Sequence, residues 1–201
     1  MLIVFEGIDG SGKNTQIAKL LLFLRQNKVK VRLHKYPTKK AKEAFAHLAG
    51  NKTVPPVELA EIFAKDIVDE RKTIEKEIDA GFVVICDRYI NSTLAYQGVG
   101  VGFGKLKKAL EKEGALVPDL VILLDVDPLL SAKRKRAQKE LDRFEKDATF
   151  LAKVRKNYLL MAKQGFCSYK YSVVDASGSA DEVFTDVVTL VEPLVIKRIE
   201  G

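Results

Sequence analysis

The stretch Gly7-Ile8-Asp9-Gly10-Ser11-Gly12-Lys13-Asn14-Thr15 decides how the rest of the chain is read. It follows the apolar run Leu2-Ile3-Val4-Phe5 and leads into Ile17, Leu20, Leu21 and Leu24, which recur at helical spacing. Strand, glycine loop and amphipathic helix in that order build a phosphate cradle. Backbone N–H groups of the loop converge on an anion, the helix adds the positive end of its dipole, and the lysine reaches the β- and γ-phosphates of a nucleoside triphosphate. A glycine turn that binds nothing is the plainer reading, and the flanking strand and helix count against it. The pattern G-x-x-x-x-G-K-[ST] is broken at one place. Asn14 holds the position of the magnesium-ligating hydroxyl, and Thr15 follows one residue late.

Outward from this loop, two further apolar runs end in aspartate: Phe82-Val83-Val84-Ile85-Cys86 before Asp87-Arg88-Tyr89, and Leu120-Val121-Ile122-Leu123-Leu124 before Asp125. Nearly uniform apolar runs are expected of central parallel strands covered on both faces. An aspartate at such a strand tip can organise hydrated magnesium, accept a proton or cap the next helix. Asp87 and Asp125 compete for the metal role. Arg88 favours Asp87, because a phosphate anchor beside a metal-organising carboxylate makes one coherent site. Asp125 and Asp127 then read as turn and cap residues, with Pro128 opening a helix.

The remaining segments fill in an alternating β/α order. Val29–Leu33 alternates as a strand and runs into the turn Lys35-Tyr36-Pro37-Thr38, at the end of a strand where open α/β sheets bind ligands. A short basic helix is expected over 39–49. One long helix is expected from Pro56 to Gly81, with Leu59, Ile62, Phe63, Ile67, Ile74 and Ile78 on one side. Gly98, Gly100, Gly102 and Gly104 read as a flexible loop before a helix near 105–112. Lys133, Arg134, Lys135, Arg136, Lys139 and Arg143 form a basic run that is either a solvated face or a lid, over about 132–146, that brings arginines to a transferring phosphoryl group. Helices over 145–163 and 180–198 flank a last strand, Tyr169–Asp175. The order predicts a single 1–201 domain, a P-loop three-layer α/β sandwich with a central parallel sheet of about five strands.

Composition sets wider bounds. A chain of 201 residues with 47% apolar content suits one buried core, and its net charge of +7 suits anionic ligands as well as a merely solvated basic surface. Cys86 and Cys167 have no spacing that suggests zinc or a disulfide framework, so a reducing setting is expected. No apolar run approaches a membrane span or a signal peptide, and a soluble, cytoplasmic protein with no membrane partner is the expectation.

The segment Ile85-Cys86-Asp87-Arg88-Tyr89-Ile90-Asn91-Ser92-Thr93-Leu94-Ala95-Tyr96-Gln97-Gly98 closely resembles the thymidylate kinase signature D-R-[YFH]-x-x-S-x-x-A-[YF]-Q. Phe5-Glu6-Gly7-Ile8-Asp9-Gly10, Leu141-Asp142-Arg143-Phe144-Glu145, Val154-Arg155-Lys156-Asn157-Tyr158 and Val174-Asp175-Ala176-Ser177 extend the resemblance over nearly the whole chain in the family's order. The resemblance implies an ATP-dependent nucleoside monophosphate kinase that transfers the γ-phosphoryl of ATP to dTMP with Mg2+, as a homodimer and with no nucleic acid as partner. It implies that Lys13 and the loop Gly7 to Thr15 hold the ATP phosphates. Asp9 would accept from the deoxyribose 3′-hydroxyl, Arg88 would anchor phosphate between donor and acceptor, and Asp87 with Asn14 would take the metal. Phe63 would stack on thymine, Ser92, Thr93 and Gln97 would line the substrate site, and Tyr96 would crowd out a ribose 2′-hydroxyl. With Gly10 and Ser11 in place of a loop arginine, Arg134, Arg136 and Arg143 become the lid candidates for catalysis. Read from the residues alone, Phe63 and Tyr96 are equally ordinary core side chains.

Three positions depart from the family pattern. Asn14 replaces the hydroxyl, and a longer amide changes the geometry around a metal that tolerates little deviation. Lys35 stands where the family commonly has arginine, which turns a bidentate grip on the acceptor phosphate into a point charge. Ile67 occupies the place of the arginine that reads the thymine edge, so Lys65 or Arg71 would have to substitute. The alternatives are therefore a monophosphate kinase of other or relaxed base preference, and a nucleotide-binding protein with weakened chemistry.

Overall fold

The computed structural model describes residues 1–136 and 148–200. Three strands form the middle of the sheet, β1 (Leu2–Glu6), β3 (Val83–Asp87) and β4 (Leu120–Asp125), and their apolar side chains are buried. The outer strands are β2 (Val31–Lys35) and β5 (Tyr171–Asp175). All five run parallel in the order β2-β3-β1-β4-β5, which matches the expected parallel sheet. Central β1 carries the glycine loop at its C-terminal end, so the loop opens between the tips of β3 and β4.

Helices cover both faces. On one, α1 (Lys13–Gln26) packs against α9 (Ala180–Glu200). Elsewhere α5 (Ile90–Val101) forms the hub, in contact with α3 (Pro56–Asp69), α6 (Phe103–Leu110) and α8 (Ala148–Gln164). The connections also hold α2 (Lys42–Leu48), α4 (Arg71–Asp79) and α7 (Pro128–Arg136).

Several boundaries differ from expectation, each for a physical reason. The second strand starts two residues late because Val29 N–H closes helix α1 onto Leu24 O (2.9 Å), with Lys28 left-handed at φ 59°. The long helix predicted from Pro56 to Gly81 is two helices that meet at Glu70. The break lets α3 pack on α5 while α4 turns Ile74 into the core beside β3. Gly98 and Gly100 lie inside α5 and not in a loop. A Cβ on Gly100 would stand 3.2 Å from Pro56, so glycine there permits close α3–α5 packing and outweighs its low helix propensity. Helix α8 is described from Ala148 on, and the start of the helix expected over 145–163 and most of the 132–146 segment, including Arg143, lie outside the described residues.

Candidate active site

Two clefts meet at the C-terminal edge of the sheet, and Asp9 and Arg88 line both. The larger is polar, about 1420 Å³ and open to solvent, with a wall formed by Gly10 to Gln16, Lys35, Asp87, Arg134 and the residues after β5. The loop reaches it through two glycines that tolerate no side chain. A Cβ on Gly7 (φ 142°) would lie 2.6 Å from Leu124 O, and one on Gly10 (φ 78°) 2.6 Å from Ser131 O. No side chain caps α1, so its first-turn N–H groups and the positive dipole end remain available to an anion. Asn14 and Thr15 are exposed on this wall, while Ser11 is buried.

Lys13 is buried, and its Nζ donates to Gly7 O (2.9 Å) and Ile8 O (3.0 Å). Burial, and then the neighbouring Arg88 cation, lower its pKa to about 8, against the pull of Asp9, Asp87 and Glu6. Only the cation neutralises phosphate, so kcat/KM for the nucleoside triphosphate should fall as pH rises through about 8. A bound polyphosphate favours the cation, so the corresponding limb in kcat should lie at higher pH. A pH–rate profile flat to pH 10 would refute this role, since pH 10 is well above the folded pKa of about 8.

Arg88 joins the clefts. Its backbone is left-handed (φ 71°), a strained setting for a non-glycine residue, and it directly follows Asp87 at the end of β3. Its Nη2 donates to Asp9 Oδ1 (2.6 Å) and to Tyr96 OH (3.5 Å), and Tyr96 OH donates in turn to Asp9 Oδ2 (3.0 Å). The Nη1 arm reaches Ser92 Oγ (3.0 Å), Gly7 O (3.3 Å) and Tyr158 OH (3.4 Å). Behind it Glu6, wholly buried, accepts from Tyr89 N, Ser92 N, Ser92 Oγ and Tyr158 OH at 2.8, 3.1, 2.6 and 2.8 Å. Burial raises the Glu6 carboxyl above its ordinary range, while Arg88 and the two hydroxyls oppose that rise.

Sequence reasoning gave no role to Glu6 or Tyr158. The available signal was an acid closing an otherwise apolar central strand, which cannot be buried without partners. Nor did it find Asp66, whose carboxylate receives Thr38 N (2.7 Å) and the Thr38 hydroxyl and so fixes the turn after β2. Ser131 Oγ donates to Asp9 O and holds the loop from α7.

The second cleft, about 650 Å³ with its open mouth included, is mostly apolar. Tyr36, Pro37, Leu48, Phe63, Ile67 and Tyr89 line it, opposite Ser92, Thr93, Tyr96 and Gln97 of α5. Phe63 thus stands where a planar ring can stack. Lys65 and Arg71 do not replace the missing arginine at Ile67. Neither lines the cleft: Lys65 pairs with Asp69 (2.9 Å), and Arg71 with Glu75 (2.9 Å) and Gly114 O (2.8 Å). Ser92 turns its hydroxyl to Glu6, Arg88 and Tyr158, which leaves Thr93 and Gln97 as the uncommitted polar pair on that wall.

Other expected residues fall as follows. Asp87 and Lys35 form an ion pair (2.8 Å) on the polar cleft. Asp125 and Asp127 do not line it. Asp127 Oδ1 caps Leu129 N (2.8 Å), the expected cap role, whereas Asp125, at the end of β4, holds Arg155 of α8 through two bonds (2.7 and 2.8 Å) and is an ion-pair residue where a turn residue was expected. Arg134 lines the polar cleft, but its guanidinium donates to Ala176, Ser177 and Gly178 carbonyls (2.6, 2.9 and 3.1 Å) and ties α7 to the β5–α9 loop. These bonds anchor it on the wall of the cleft. Arg136 closes α7, with its side chain outside the described residues.

Among known proteins, the thymidylate kinase family model matches residues 5–187. A probable thymidylate kinase of Pyrobaculum calidifontis is 37% identical over 195 residues, 96% of each chain. One from Archaeoglobus fulgidus is 36% identical over 96% of this chain and 95% of its own. The thymidylate kinase of Symbiobacterium thermophilum is 36% identical over 100% of this chain and 97% of its own. With a glycine cradle and an apolar cleft joined through Asp9 and Arg88, and similarity along its whole length, the chain belongs to the thymidylate kinase family.

Proposed function

We propose that the protein transfers the γ-phosphoryl of ATP to the 5′-phosphate of dTMP, giving dTDP and ADP. The observation that carries this reading is Arg88, fixed by Asp9 on the wall common to both clefts. ATP phosphates belong on the glycine loop, with Lys13 and the α1 N-terminus as counter-charge. The base and sugar belong in the apolar cleft, thymine against Phe63, its polar edge toward Thr93 and Gln97. Tyr96, held by Asp9, fills the space a ribose 2′-hydroxyl would need. An oxygen of the acceptor phosphate attacks the γ-phosphorus while the bond to the β-phosphate oxygen breaks and ADP leaves. The acceptor is already ionised near neutral pH, so no general base is required. The protein's contribution is alignment and charge neutralisation, which Arg88, Lys13 and Lys35 provide.

Magnesium fits the residues present. Asp87 offers a carboxylate and Asn14 an amide oxygen on the wall that carries the phosphate loop, and magnesium is ordinarily held by one or two carboxylates together with substrate phosphates and water. Among the described residues no group of three metal-binding side chains exists, and that mode needs none. When bound, the ion would be held by Asp87 and Asn14 and would supply positive charge against the negative charge that develops in transfer. Chelation should abolish turnover, and Asn14→Ser should retain or raise it. A loss in Asn14→Ser would mark Asn14 as an adapted ligand.

Steady-state assays with ATP and dTMP, dUMP, dGMP, dCMP or AMP test the substrate. dTMP should exceed dUMP by about 10- to 200-fold in kcat/KM, the worth of one methyl in an apolar pocket. Equal rates would sink the assignment to dTMP. The apolar wall at Ile67 supports a second reading, weaker selection among bases, which the same panel reads out. Among the described residues no helix is long and apolar enough to cross a membrane. Pairing of two copies through helices is the expected assembly, and sedimentation should give twice the 22.4 kDa chain mass.

A further inference from the structure

Tyr158 is buried on α8, lines neither cleft, and yet sends its hydroxyl into the network behind Arg88. We propose that Tyr158 is a positioning residue that sets the guanidinium of Arg88 for phosphoryl transfer, an inference that rests on the kinase reading above.

The geometry separates the two arms of the guanidinium. Asp9 and Tyr96 hold Nη2, whereas Ser92, Gly7 O and Tyr158 hold Nη1. The hydroxyls of Ser92 and Tyr158 both reach Glu6 Oε2 and lie 2.8 Å from each other. A carboxylate only accepts, so it draws hydroxyl protons toward itself and turns oxygen lone pairs toward Arg88. Tyr158 also meets Tyr96 edge-on, with ring centroids 6.4 Å apart, and so touches the other partner of Asp9.

Helix α8 holds this hydroxyl still through three adjacent ties. Arg155 clasps Asp125 at the tip of β4, Asn157 Nδ2 donates to Ala95 O of α5 (2.9 Å), and Tyr158 itself reaches Glu6 of β1. Phenylalanine would fill the same space. A buried hydroxyl is costly unless it is bonded, and among the described residues this one is bonded only within the Arg88 network. Its burial beside Glu6 keeps the phenol protonated far above neutral pH.

The test is Tyr158→Phe, which keeps the ring, read in two ways. The first is the Arg88 Nη signal in arginine-selective NMR, assigned by its loss in Arg88→Lys. Tyr158→Phe should shift it and speed its exchange whatever the substrate proves to be. The second is a kinetic double-mutant cycle with ATP and dTMP. Tyr158→Phe alone should lower kcat by about tenfold with KM for ATP unchanged, and should add almost nothing in the Arg88→Lys background. Should Tyr158→Phe not fold, Ser92→Ala removes the companion hydroxyl and should give the same signature. An unchanged Arg88 signal overturns the proposal, as do additive losses in the cycle. Wild-type enzyme inactive on dTMP overturns the kinase reading instead, with the NMR arm still deciding whether Tyr158 sets Arg88.

Discussion

Arg88→Ala should lower kcat by about three orders of magnitude, the scale of losing a transition-state arginine in phosphoryl transfer. The side chain lines the donor and acceptor clefts together and is the cation fixed on both. Its two arms are held by Asp9 and Tyr96 on one side and by Ser92, Gly7 O and Tyr158 on the other, so its position is set before substrate arrives. Arg88→Lys keeps the charge and loses the fork, since one ammonium cannot serve both sets of partners; it should recover only part of the loss. Removing the cation also leaves Asp9 and buried Glu6 without their counter-charge, at about 3–5 kcal/mol of stability. Kinetics must therefore be read on protein shown to be folded by thermal unfolding. A folded Arg88→Ala enzyme within tenfold of wild type would refute the role, against the expected three orders or so.

Glu6→Ala should destabilise the fold by about 3–5 kcal/mol, with a Tm lowered by several degrees or more. Its carboxylate is wholly buried and receives two backbone N–H groups and two hydroxyls, so truncation strands four donors at once. Those donors span Tyr89 and Ser92 at the start of α5 and Tyr158 on α8, so the loss falls on the joint between sheet and both helices. Glu6→Gln retains one acceptor oxygen for the N–H groups, and its amide can donate to a rotated hydroxyl; it should fold with a smaller deficit. Denaturant unfolding of the two variants separates them. Equal and small losses in both would show that the network contributes little to stability.

Much of the site was legible in the chain because its signals are local. The glycine loop needs only a strand before it and a helix after it, and Asp87-Arg88 announces itself at the tip of an apolar run. What escaped depends on distant partners. Glu6 and Tyr158 are 152 residues apart, and nothing in either segment names the other. Arg134 belongs to a run of basic residues, but whether it reaches phosphate or the carbonyls of 176–178 depends on where the β5–α9 loop passes. Lys65 and Arg71 sit close to Ile67 in sequence and still face away from the cleft, because helical phase and the break at Glu70 aim them elsewhere. The glycines at 98 and 100 suggested a loop, since propensity does not register that Asn157 of α8 closes on Gly98 and Pro56 of α3 on Gly100.

By itself, then, the sequence determined the parallel sheet and the phosphate cradle, because hydrophobic period and glycine spacing are properties of neighbouring residues, and the resemblance of its 85–98 segment to a known signature pointed to the family. Tertiary structure alone decided which hydrogen bonds each polar side chain makes. A buried donor or acceptor takes whatever partner the packing of remote elements brings within about 3 Å. In this protein those partners join Asp9, Arg88, Glu6 and Tyr158 into one unit.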